Sequence, residues 1–128
     1  METNPLRKPK LHFDSAPRPG HVTFDDGQTE RRNFPWMTYV VARWVYEEPD
    51  TIRVKIGECM ITVRGHNLGP LFQALEEHTL MRVRAQPALR DQRENERDTF
   101  VTEIRFAGPL GGMPETKQPA QIEFDLGR

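Results

Sequence analysis

The chain has 128 residues, 29% of them charged, and a formal net charge of −1, which suits one domain with a modest core and excludes a protein that coats nucleic acid by bulk positive charge. Its single cysteine, Cys59, excludes an intrachain disulfide. The opening METNPLRKPK lacks the apolar stretch of a signal peptide, and no apolar run approaches the roughly 20 residues that span a bilayer, so a soluble, cytoplasmic protein without membrane contact is expected.

Residues 1–20 carry prolines and scattered charge with little apolar periodicity, and they are expected to form a flexible N-terminal arm. The folded unit is expected over 21–106. Val22 to Phe24 reads as a short strand entering an Asp25-Asp26-Gly27 turn, where glycine supplies a positive φ. Pro35 is awkward inside a paired central strand, so the next strand is expected after it, from Met37 to Tyr46, closed by Glu47-Glu48-Pro49-Asp50. Ile52, Val54 and Ile56 alternate with Arg53 and Lys55, and Ile61 and Val63 alternate with Thr62 and Arg64, across Gly57-Glu58. That pattern predicts two antiparallel strands and a tight turn.

At Gly65-His66-Asn67-Leu68-Gly69-Pro70 the period changes. Leu68, Leu71, Phe72 and Leu75 fall at helical spacing, Pro70 suits a first turn, and Asn67 or Gly69 is the expected cap of a helix ending near His78. Met81, Val83 and Ala85 alternate with Arg82 and Arg84, while Phe100, Thr102, Ile104 and Phe106 alternate with Val101, Glu103 and Arg105; these are expected to pair as the last two strands. The polar connection 86–98 is expected to be disordered. Residues 107–128 read as a flexible C-terminal tail, within which 121–126 alternates again as a docking strand. The expected fold is α+β: a mainly antiparallel sheet of five or six strands, one short helix packed on one face, and flexible arms at both ends.

With the aliphatic positions turned toward the helix, Arg53, Lys55, Arg64, Arg82, Arg84 and Arg105 are expected to share the opposite face, with Glu103 the one acid among them. Such a face, with Tyr39 or Trp44 nearby, holds phosphate and stacks bases in nucleic-acid binders, whereas half-buried sheets also place charge outward simply to meet water. Arg64, Gly65, His66 and Asn67 form a candidate anion turn before the helix amides, although the spacing of a phosphate loop is missing and each residue has a structural use there. Phe34 and Trp36, flanking Pro35, are candidate interface anchors or closures of the core.

Cys59 and His66 lie at opposite ends of a predicted strand, which leaves no nucleophile and base pair. The scattered histidines, His12, His21, His66 and His78, have no spacing that organises a metal, and Asp25-Asp26 lacks the repeat of a calcium loop. No catalytic residue, metal or cofactor is assigned. The leading reading is a non-enzymatic binding or assembly module acting through the basic face on a protein partner or on itself. A nucleic-acid-binding module using the same face is the alternative, and a small enzyme or sensor taking an anionic ligand at the 65–70 turn is the second.

Overall fold

The computed structural model describes residues 11–87 and 98–108. Residues 1–10 of the expected arm, most of the expected loop 86–98, and nearly all of the 107–128 tail with its 121–126 strand lie outside the described residues. The chain forms an α+β fold with two four-stranded sheets rather than one sheet of five or six strands. In chain order the elements are β1 (Phe13–Ser15), β2 (His21–Asp25), β3 (Arg31–Pro35), a 3-10 turn (Trp36–Thr38), β4 (Tyr39–Arg43), β5 (Thr51–Ile56), β6 (Cys59–His66), α1 (Gly69–Glu76), β7 (Leu80–Arg84) and β8 (Phe100–Ala107). The first sheet has the order β1-β7-β2-β3 and the second β4-β5-β6-β8.

The second sheet follows the alternation of its sequence. Ile52, Val54 and Ile56 of β5 and Ile61 and Val63 of β6 are all buried, and the two strands form an antiparallel hairpin with Ile56 opposite Cys59. Gly57 at φ 61 opens its two-residue turn, where a side chain would strain the backbone. The 3-10 turn and a shorter β4 replace the expected strand Met37 to Tyr46, because Pro35 ends β3 one residue before Trp36. Since β3 is an edge strand, Pro35 forfeits no ladder bond in the sheet centre.

Three further sequence expectations change. Phe13–Ser15 pairs with β7, so part of the expected arm belongs to the fold. The last two strands do not pair: β7 runs parallel to β2 and antiparallel to β1, while β8 pairs with β6. A long connection between two strands permits such a crossover where a tight hairpin forbids it. Finally, Leu68 rather than Asn67 or Gly69 occupies the helix N-cap, without a side-chain cap, and Pro70 lies in the first turn. Leu71, Ala74 and Leu75 face inward, and Phe72 is half-buried against the core.

Both sheets and the helix share one core, running from Val22, Phe24 and Phe34 through Ile52, Val54 and Ile61 to Leu71, Leu75, Val83 and Ile104. Arg32 ties the first sheet to the second: its guanidinium lies 4.6 Å from the Phe106 ring centroid and donates to the Cys59 sulfur at 3.4 Å and the Gly108 carbonyl at 3.3 Å. At the other junction the Gln86 amide donates to the Val101 carbonyl at 2.7 Å. A bulge between Arg64 and Gly65 shifts the β6 and β8 ladder, so that Gly65 faces Val101 and Arg64 faces Glu103. It resets the phase of β8, which is why Val101 and Ile104 are both buried while Thr102 is not. The alternation read from sequence had put Thr102 with Ile104 and Val101 with Arg105.

The β2 and β3 strands are joined through Asp25 and Asp26. Asp25 Oδ1 accepts from the Gly27 amide, and Asp26 Oδ1 accepts from the amides of Gln28 and Thr29, each at 2.8 Å. The Thr29 hydroxyl donates to Asp26 Oδ2 at 2.7 Å and the Glu30 amide to Oδ1 at 3.1 Å. Desolvation, the largest single influence, opposes the charged form, but the Thr29 hydroxyl bond and the three amide bonds together outweigh it and hold the Asp26 carboxyl far below its ordinary range.

These contacts set three expectations. Leu75→Ala removes a fully buried side chain and should cost ~2–4 kcal/mol, read as a fall in the urea midpoint; an unchanged midpoint would place the helix elsewhere. Gly65→Ala should cost on the order of 1–3 kcal/mol in the same assay, because its β-carbon would sit 2.2 Å from the Phe100 carbonyl oxygen. Asp26→Asn should destabilise the protein at neutral pH. Because the folded pKa is depressed, that contribution is full above the unfolded value near ~3.9 and is lost as pH falls toward the folded one. The gap between wild type and variant should therefore narrow on acidification, and a pH-independent gap would refute the charged cap.

Candidate functional site

The fold divides the six basic positions. Arg53, Lys55, Arg64 and Arg105 lie on the outer face of the second sheet, whereas Arg82 and Arg84 lie on β7 in the first. The expected common face is therefore two surfaces. On the second sheet the ladders set Arg43, Arg53, Thr62 and Arg105 in one row, and Val41, Lys55, Met60 and Ala107 in the next. Arg43 joins the row unforeseen, since its placement depends on a bulge between Tyr39 and Val41.

Several of these cations are already engaged. Arg53 bonds Glu48 at 2.6 Å and holds that carboxyl below its ordinary range. Glu103 takes both Arg105 and, at 3.7 Å, Arg64. Arg84 lies 3.9 Å from Asp25. Arg43 and Lys55 have no acidic partner among the described residues, and they remain available to an outside group.

Beside them the surface is apolar. Val40 is 58% exposed, Val41 49% and Met60 40%, with Met37 at 90% just before β4. β4 pairs only with β5, so its other side is a free edge among the described residues, the kind of backbone that accepts a further strand. On the inner side of that edge Tyr39, Ala42, Trp44 and Phe72 are only partly covered. The rings of Trp44 and Phe72 meet at 5.3 Å, and the Trp44 indole donates to the Pro49 carbonyl at 3.0 Å. Burial raises the Tyr39 phenol, opposed by the Ala42 amide and reinforced by Glu76, so the ring stays neutral at physiological pH. The one sequence signal of this edge was the run Tyr39-Val40-Val41-Ala42, which has no polar alternate.

The other candidate residues are placed differently. Arg64, Gly65 and His66 are strand residues of β6, and Asn67 follows at φ 50. Arg64, Gly65 and His66, but not Asn67, line a depression of about 280 Å³ that also holds Asp50 and Glu103, two carboxylates that oppose an anion. His66 stacks on Phe100 with ring centroids 5.5 Å apart. Phe34 and Trp36 are core residues, each 7% exposed, which fits the second of their two readings, closures of the core. Trp36 stacks on His78 at 4.6 Å and donates to the Leu80 carbonyl at 3.0 Å.

A larger depression of about 610 Å³ brings Asp26, Glu30, Glu103 and Arg105 around Phe106. Its acids are committed to the 26–30 turn, to Arg32 and to the arginines of the second sheet, so none converges on an open point as a general acid or base must. Cys59 is buried and begins β6 while His66 ends it. Among the described residues no cluster of His, Cys, Asp and Glu is placed to hold a metal ion, and no helix is long and apolar enough to cross a membrane. No family model, curated protein or solved structure matches the chain, and its function is read from this geometry alone.

Proposed function

We propose that the domain is a docking module that takes a protein segment along β4 and the adjoining outer face of the second sheet. The observation that carries this reading is the coincidence, at one edge of one sheet, of a strand side without a neighbour, the exposed Val40, Val41 and Met60, and Arg43 and Lys55 without an acidic partner, all among the described residues. Magnitudes favour the apolar part as the source of affinity. Finishing the burial of a half-exposed Val or Met is worth roughly 1 kcal/mol each, whereas an exposed ion pair adds about 0.2–1 kcal/mol and mainly fixes orientation. The nucleic-acid alternative has less support here, because Arg53, Arg64 and Arg105 are shared with acids and Arg82 and Arg84 lie on the other sheet.

A photo-crosslinking residue at position 41 should trap protein, and the same residue at position 82 should not. Val41→Glu combined with Met60→Glu should abolish the association while leaving the unfolding free energy within about 0.5 kcal/mol of wild type, as surface changes do. Equal trapping from both positions, or nucleic-acid binding that weakens steeply with salt and disappears in the Arg43→Gln and Lys55→Gln pair, would reject protein docking at this surface.

A further inference from the structure

Resting on that reading of the β4 edge, we propose that its occupant is the chain's own segment Gln121-Ile122-Glu123-Phe124-Asp125-Leu126, added as a fifth strand to the second sheet. Two features of the edge select it. On its inner side Tyr39, Ala42, Trp44 and Phe72 are partly uncovered apolar groups; on its outer side Arg43 on β4, and Lys55 one strand further in beside Val41, stand without acidic partners among the described residues. A strand that fits must alternate apolar and acidic residues, because successive side chains point to opposite faces. Ile122, Phe124 and Leu126 supply the apolar side, and Glu123 and Asp125 the acidic one.

The reach is sufficient. β8 ends at Ala107, which is opposite Met60 and so lies in the same row as Lys55 and Val41. A strand beyond β4 is four strand spacings from β8, or ~19 Å. The intervening residues 109–120 span up to ~40 Å when extended. A second copy's β4 is a poorer occupant. Antiparallel pairing of two β4 edges would put the Arg43 and Lys55 of both copies on one face, where like charges repel.

Hydrogen exchange on the full chain tests this. The β4 amides should exchange ~10-fold or more slowly in wild type than in the Ile122→Ser and Phe124→Ser double variant. Arg43→Glu with Lys55→Glu should release the same protection, and Glu123→Lys with Asp125→Lys added to it should restore it, an outcome that loss of folding cannot produce. Protection that rises with protein concentration assigns the segment to a neighbouring copy, and protection independent of concentration assigns it to the same molecule; either supports the proposal. If β4 is protected in wild type and equally so in the Ile122 and Phe124 variant, another partner covers the edge: this occupant is rejected and the docking reading stands. If β4 exchanges freely and position 41 also traps no protein, both fall.

Discussion

The register of the β5 and β6 hairpin decides which side chains meet on the outer face of the second sheet. Burying Ile52, Val54, Ile56, Ile61 and Val63 leaves one pairing available, since a slip by one residue would turn every one of these side chains outward. The short turn at Gly57 fixes the same register from its end. Once Arg53 is set opposite Thr62, β4 and β8 extend the row to Arg43 and Arg105, and Val41 falls beside Lys55 and Met60. The candidate surface is thus a by-product of core burial: the charge pattern follows wherever the aliphatic pattern goes.

Two local devices then adapt the sheet to its neighbours. Gly65 allows the β8 backbone to approach where any side chain would collide, and the adjacent bulge lets Val101 and Ile104 both reach the core. Arg32, lying under Phe106 and against the Cys59 sulfur, closes the junction between the sheets with a guanidinium in place of a hydrophobic residue. Its charge is tolerated there because Glu30 bonds it from the solvent side at 3.1 and 3.3 Å. Both devices hold β8 in place while leaving the opposite edge, β4, without a partner among the described residues.

Periodicity made the local elements legible. The β5 and β6 hairpin, the Asp26 turn and the helix with Leu71 and Leu75 inward all follow from residues close in sequence. Strand neighbours at long range were not legible, because the alternation in β7 says which side is buried and nothing about which strand lies beside it. That is how Arg82 and Arg84 came to be grouped with Arg53, and β7 with β8. The same limit hid the edge: Val40 and Val41 read as good strand residues, and only the order of strands shows that they border no further strand among the described residues. Phe34 and Trp36 show the same limit, since large aromatics beside a proline suit an interface or a core equally well until burial is known.

The composition of the edge also bears on selectivity. An exposed strand with apolar residues is open to any extended chain, and natural sheets commonly blunt such edges with cations. Arg43 and Lys55 reject basic and like-charged strands, while Val40, Val41 and the half-covered Trp44 and Phe72 still reward an apolar one. The apolar contacts are largely indifferent to salt and the charged ones are screened within ~8–10 Å at physiological ionic strength. Affinity at this edge therefore depends mainly on its apolar groups, Trp44 and Phe72 within and Val40, Val41 and Met60 outside, and discrimination between acidic and basic occupants on Arg43 and Lys55. Raising the salt should erode the discrimination well before it erodes the binding.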